Sequence, residues 1–245
     1  MKNALIGYTG FIGSNLLNFK KNLSKFNSKN IHKIKNKNFN IIVCAGTSSK
    51  IWLAKKKPAE DKKKINNLLN NLKFVNAKKF ILISTSEIYG KHRVCNENSK
   101  LDMKKISNYG LNRLKFENFI IKKFKDNHII RLPIVYGKKF SKNFIFDLIN
   151  SNNIEILNGN DFVQIYNVTN LKNDINFVIK NNIRKINISS KPIKVSKIAK
   201  KFFKINLNKK KSYRTINMKS KYGKHKGYYM SLSKCYSDLR KFLSH

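Results

Sequence analysis

The chain has 245 residues, with 53 Lys and Arg against 12 Asp and Glu and a formal net charge of +41. That length builds one large domain or a domain with a smaller lobe; no apolar run approaches the ~20 residues that span a bilayer, and the N-terminus enters a strand at once, with no signal-peptide pattern. Three scattered cysteines, Cys44, Cys95 and Cys235, and five histidines without ligand spacing argue against a disulfide framework and a metal site, and fit a cytoplasmic protein.

The apolar run Ala4-Leu5-Ile6 leads into Gly7-Tyr8-Thr9-Gly10-Phe11-Ile12-Gly13, followed by an amphipathic stretch over residues 11–19. This reads as strand, glycine turn and helix start. Glycine lets the backbone take positive φ and lets a pyrophosphate approach the main chain closely. A helix opening there aims free N–H groups at the anion. The spacing is GxxGxxG, one residue wider at the first gap than the usual dinucleotide fingerprint.

Residues 23–31 hold at most a short strand, and residues 32–39 leave room for a turn or two of helix. Residues 40–46, Asn-Ile-Ile-Val-Cys-Ala-Gly, read as a buried strand ending in small residues. Residues 58–75 read as a helix: Pro58 suits its first turn, Glu60 and Asp61 favour its positive end, and Ile65, Leu68, Leu69 and Leu72 form its apolar face. Residues 80–83 are the next strand, running into Ser84-Thr85-Ser86-Glu87-Ile88-Tyr89-Gly90. A second long helix covers residues 108–124, and residues 129–132 form a strand closed by Pro133. Further on, helices are expected over 140–149, 171–179, 195–203 and 231–243, extended chain over 162–166 and 186–188, and a solvated lysine-rich loop over 204–211. The alternation indicates an α/β fold, a Rossmann-type doubly wound parallel sheet. The expected division is a dinucleotide-binding domain at 1–137 and a smaller C-terminal substrate lobe at 138–245.

Three segments combine with the glycine turn: Ser84–Gly90 after a strand, Tyr109-Gly110-Leu111-Asn112-Arg113 opening a helix, and Arg131-Leu132-Pro133-Ile134-Val135-Tyr136-Gly137. In this order and spacing the chain resembles the extended short-chain dehydrogenase/reductase family, the NAD-dependent epimerase/dehydratase group. The resemblance implies an NAD(P)-dependent oxidoreductase, epimerase or reductase acting on a sugar or nucleotide-sugar-like carbonyl or alcohol. Thr85 matches the hydroxyl that orients the substrate oxygen, and Tyr109 matches the catalytic acid/base. Arg113 stands one helical turn on, where the family carries lysine, and is expected to hold the phenolate in the working range and to bond the nicotinamide ribose. It keeps the charge but cannot deprotonate. Lys115, six residues on, points off that face. The cofactor is expected on Gly7, Thr9, Gly10, Phe11, Ile12, Gly13, Asn27, Ser28, Ala45, Gly46, Arg113 and Pro133, with no metal.

The sequence also departs from the family. Ser86 replaces the aspartic acid of the sugar-nucleotide dehydratases, and Gln164-Ile165-Tyr166 stands where an Arg-Asp pair is frequent. The acidic residue that bonds a ribose 2′-hydroxyl, ~20 residues past the glycine turn, is missing; Asn27, Ser28 and Lys29 stand there, which leans the cofactor from NAD toward NADP. A non-catalytic NAD(P)-binding sensor on the same fold is one alternative. A nucleic-acid-associated protein is another, suggested by the charge. Against it, only 6 of the 53 basic residues are Arg, the residue suited to bidentate phosphate and guanine recognition, and the lysines are spread along an Asn- and Ile-rich chain, as compositional drift would leave them. The family often dimerises through its two long helices, here 58–75 and 108–124; the charge opposes that association at low salt.

Overall fold

The computed structural model describes residues 1–49, 51–90, 94–208, 210–211 and 217–244. β1 (Lys2–Ile6) ends at the glycine turn, and the helix after it, α1, spans only Phe11–Ser14. The expected helix over 11–19 is thus cut short. Ser14 Oγ and Asn15 Nδ2 both donate to the Phe11 carbonyl, and such local bonds compete with helix propagation. β2 (Leu23–Phe26), a 3₁₀ turn (Ile31–Ile34) and β3 (Asn38–Cys44) follow.

α2 (Ile51–Lys56), which was not expected, precedes α3 (Pro58–Leu72), and β4 (Asn76–Thr85) ends in a 3₁₀ turn, Ser86–Tyr89. Then come β5 (Val94–Cys95), α4 (Asn108–Lys123), β6 (Asn127–Leu132), β7 (Ile134–Tyr136) and α5 (Phe144–Asn150). α5 begins later than expected because Asn143 Oδ1 caps the N–H groups of Ile145 and Phe146. β8 (Phe162–Val163), β9 (Ile165–Asn167), α6 (Leu171–Lys180), β10 (Lys185–Asn187), β11 (Ile193–Lys194), α7 (Val195–Ile198), β12 (Asn217–Met218) and α8 (Leu232–Leu243) complete the chain. α7 widens into a π turn at Ala199–Phe203, inside the helix expected over 195–203. In the loop expected over 204–211, residues 204–208 carry no regular structure and Lys209 lies outside the described residues.

The chain forms two compact units. The first, Met1–Gly90, Leu101–Arg131 and Thr169–Ile186, holds the central parallel sheet, in the order β10-β6-β4-β3-β1-β2. Its interior includes Ile6, Ile42, Leu72, Phe80, Leu82, Phe116 and Ile120, each worth about 1.5–3 kcal/mol once removed from water. β1 lies between β2 and β3, so the chain leaves β1 toward one edge and returns on its other side. In open α/β sheets ligands bind outside the strands' carboxyl ends at such a switch point. Ile6 pairs with Phe26 and Cys44, and Cys44 with Leu82, so the carboxyl ends of β1 to β4 share one edge.

The second unit holds Leu132–Val168 with the described parts of 91–100 and 187–245. Two buried polar side chains tie it together. Glu97 accepts from the N–H of Asn187 (2.8 Å), the hydroxyl of Ser220 (2.6 Å) and the N–H of Lys221 (2.9 Å). Gln164 donates to the carbonyls of Ser190 and Met218 and accepts from the Met218 N–H, completing a ladder where the Arg-Asp pair was absent.

Candidate active site

The carboxyl edge of the first unit is built around glycines that admit no side chain. Gly7 has φ +86°, and a Cβ on it would lie 2.4 Å from the Ala45 carbonyl oxygen; one on Gly13 would lie 2.0 Å from that of Gly7. These contacts press the turn against Ala45 and Gly46, while Gly7 donates to the Phe26 carbonyl at 2.7 Å and Ala45 to that of Ile6 at 2.9 Å. Thr9 and Gly10 are exposed, and Phe11 and Ile12 half-buried. Gly10 differs from its two neighbours: a Cβ there would meet only the Gly7 carbonyl, at 3.3 Å. The fold leaves space over Gly10 that a side chain would fill. The helix behind the turn is a single turn, so close approach to the backbone, rather than a helix dipole, is what this loop offers an anion.

Asn27 sits just past the end of β2. Its Oδ1 accepts from the Lys29 N–H at 2.9 Å and its Nδ2 donates to the Tyr8 hydroxyl at 3.3 Å, which fixes it beside the glycine turn. Ser28 and Lys29 are exposed. Among the described residues no group of His, Cys, Asp and Glu could hold a metal ion.

Thr85 ends β4. Its Oγ1 accepts from the Glu87 N–H at 3.2 Å, capping the 3₁₀ turn and keeping its own proton to donate. That turn meets the start of α4 closely: a Cβ on Gly110 would lie 2.5 Å from the Glu87 carbonyl oxygen. Only glycine after Tyr109 lets the two backbones come so near. Ser107 caps α4 by accepting from the Gly110 N–H. Tyr109, Arg113 and Glu117, four residues apart, then share the buried face of the helix.

Arg113 is 2 % exposed, and its guanidinium lies over the Tyr109 ring, 3.8 Å from the centroid. Its Nη1 donates to Asp61 Oδ2 on α3 and its Nη2 to the Ser48 carbonyl, while Nε is buried without a hydrogen-bond partner. Asn112 Nδ2 donates to the same Asp61 oxygen at 2.7 Å. Lys115 is exposed and donates to Asn66, off the site as its spacing required. Burial pushes the Tyr109 phenol above its ordinary pKa; the Arg113 charge pulls it down, and Glu87 and Asp61 push it up. Arg113 lowers the phenol's pKa, the direction expected of it, and in the free protein burial outweighs that pull.

Behind this pair lies a second one. Arg131 on β6 donates from Nε and Nη2 to the two Glu117 oxygens at 3.1 and 2.6 Å, and from Nη1 to the Tyr89 hydroxyl at 2.7 Å. Ser84 Oγ donates to Glu117 Oε1 at 2.6 Å. The network ties β4, β6 and α4 directly beneath Thr85 and Tyr109. Thr85, Tyr109 and Arg113 thus come together, with the glycine turn, Asn27, Ser28, Ala45 and Gly46, in the first unit. Pro133 falls in the second, between β6 and β7. The sequence did not point to Asp61 and Glu117, the carboxylates that bond Arg113 and Arg131. A usable signal existed: with 12 acidic residues in the chain, any carboxylate is scarce, and Asp61, Glu97, Glu117 and Asp238 are buried.

Residues 26–178 match the model of the NAD dependent epimerase/dehydratase family. The chain belongs to that family. The matched stretch contains Thr85, Tyr109, Arg113 and Pro133 and begins after the glycine turn. Solved structures with the same fold include a dTDP-4-dehydrorhamnose reductase from Yersinia enterocolitica, 18 % identical over 100 % of this chain and 99 % of that one, TM-score 0.72. Another is a dTDP-4-dehydrorhamnose reductase from Bacillus anthracis in complex with NADP, 18 % identical over 90 % and 85 %, TM-score 0.66. A third is a UDP-glucuronic acid 4-epimerase from Bacillus cereus in complex with NAD, 17 % identical over 91 % and 90 %, TM-score 0.68. A comparison with curated proteins gives no match.

Proposed function

We propose that this chain is an NAD(P)-dependent oxidoreductase, epimerase or reductase acting on a sugar or nucleotide-sugar-like carbonyl or alcohol. The observation that carries the reading is the convergence of Thr85, Tyr109 and Arg113 in one unit with the glycine turn, at the carboxyl edge of a parallel sheet. The family match and the similar folds of a reductase and an epimerase support it.

In this reading Gly7, Thr9, Gly10, Phe11, Ile12 and Gly13 cradle the cofactor pyrophosphate, with Ala45 and Gly46 as the floor. The space over Gly10 is the feature that fits it. Asn27 and Ser28 face the adenosine ribose, and the lack of a carboxylate there lets NADP bind at least as well as NAD. The buried Nε of Arg113 belongs to the nicotinamide end. The bound nicotinamide supplies or takes the hydride. Thr85 donates to the substrate oxygen and Tyr109 moves the proton at that oxygen. Residues 138–245 are read as the smaller substrate-binding lobe. The protein is assigned to the cytoplasm, in keeping with buried cysteines that form no disulfide, and a homodimer through α3 and α4 is part of the same proposal. No helix among the described residues is long and apolar enough to cross a membrane.

The test is to purify the protein, identify any retained dinucleotide by mass spectrometry, and titrate NADP and NAD by calorimetry. A panel of nucleotide-sugar ketones is then assayed for consumption of the reduced dinucleotide. Failure to bind either dinucleotide at millimolar concentration would overturn the reading.

A further inference from the structure

The Arg113–Asp61 pair is a feature that the roles assigned to Tyr109 and Arg113 leave unused. A lysine on this face would present one compact charge. Arg113 instead spreads a planar cation over the Tyr109 ring, and two of its three nitrogens are taken, by Asp61 and by the Ser48 carbonyl. Asp61 is 6 % exposed and receives a second bond, from Asn112. Burial acts most strongly on the phenol, and three charges on three elements add to it: Arg113 on its own helix pulls the pKa down, while Glu87 from the turn after β4 and then Asp61 from α3 push it up.

We propose that Asp61 is a positioning residue for Tyr109: it pins the Arg113 guanidinium flat on the ring and offsets part of its charge, adding to the burial that keeps Tyr109 a proton donor for carbonyl reduction. The inference rests on the reading of Tyr109 as the acid of the site. A bound reduced nicotinamide would supply the hydride to the carbonyl carbon, and the Tyr109 proton would go to the carbonyl oxygen, giving an alcohol and leaving a phenolate for solvent to reprotonate. Freeing Arg113 from Asp61 would instead favour the phenolate, the form suited to taking a proton from an alcohol. The direction in which burial and charge move Tyr109 agrees with the donor role.

The experiment reads the phenol itself, without cofactor or substrate, so that a protein inactive on every substrate tried still answers it. Tyrosinate absorbance is followed against pH for the wild type and for Tyr109→Phe, and the difference isolates Tyr109. The same pair is measured in an Asp61→Asn background. Losing the carboxylate charge is expected to bring the Tyr109 titration down by about 1 pH unit, and Asp61→Glu is expected to restore it. A structural role alone would lower the melting temperature and leave the titration where it was; an unmoved titration in folded Asp61→Asn overturns the proposal. Should Asp61→Asn fold poorly, the double variant Asp61→Leu/Arg113→Met removes both charges and keeps an apolar contact. There the titration is expected within about half a pH unit of wild type, and a downward shift of a full unit would refute the offset.

Discussion

Two buried arginine–carboxylate pairs flank α4, and they are built to different standards. At Arg131–Glu117 the guanidinium bonds through all three nitrogens, Glu117 uses both oxygens, and Ser84 and Tyr89 close the network. At Arg113–Asp61 one nitrogen is left over, and the guanidinium faces an aromatic ring. A buried pair offsets its desolvation only when its remaining donors and acceptors are satisfied. The complete pair holds β4, β6 and α4 in register; the incomplete one keeps a donor in reserve beside Tyr109. Completeness of hydrogen bonding separates the two pairs, although each joins a buried arginine to a buried carboxylate.

The sharpest way to break that contrast is Tyr109→Phe. Turnover is expected to fall at least ~10³-fold, about 4 kcal/mol at the transition state, with dinucleotide affinity kept. A steady-state assay with a calorimetric titration checks it; near-wild-type turnover would make the incomplete pair ordinary scaffold. Glu117→Gln strikes the other side. It leaves Arg131 buried without its counter-charge, and the expected loss of unfolding free energy is about 3 kcal/mol, read by urea denaturation. A loss below ~0.5 kcal/mol would deny the network its structural role.

Gly10→Val touches neither pair. Its side chain enters space the fold leaves open, so dinucleotide affinity should drop about tenfold, ~1.4 kcal/mol, while stability changes little. Equal affinities for variant and wild type would detach the glycine turn from the site. The smallest effect is alkaline. Because burial raises the Tyr109 pKa above ~10, the folded protein keeps a proton that the unfolded chain gives up. Its contribution to stability is whole below pH ~10 and is lost as pH rises through the folded pKa. Tyr109→Phe should therefore lose stability less steeply than wild type between pH 10 and 11, in denaturation curves at fixed ionic strength.

What could be read beforehand follows the range of the interactions. The strands over 40–46 and 80–83 and the helices over 58–75 and 108–124 carry local periodicity, and the structure holds them at β3, β4, α3 and α4. Thr85, Tyr109 and Arg113 were legible because their segments keep a fixed order and spacing. The missed features depend on partners far along the chain. Asp61 read as a charge suited to a helix start, and only folding brings it to Arg113, 52 residues away. Glu117 carries no mark in the sequence; folding brings Arg131 and Ser84 to it, 14 and 33 residues away. The shortened α1 failed for a local reason: its polar side chains bond back to the Phe11 carbonyl, which a count of apolar positions does not register.

Glu97 bears on the order in which the chain can be made. Its partners lie 90, 123 and 124 residues downstream, and the strand beside it, β5, pairs with β12 at residues 217 and 218. A ribosome adding residues in sequence exposes this carboxylate long before Ser220 and Lys221 exist. The first unit draws on no residue beyond Ile186, so it can close while the tail is still being synthesised. The second cannot satisfy Glu97 until residue 221 has emerged, and loop-closure entropy makes contacts of such separation slow to form. Chains halted between residues 187 and 220 would carry a finished parallel sheet and an unfinished lobe, and these are the nascent forms most exposed to proteolysis and aggregation.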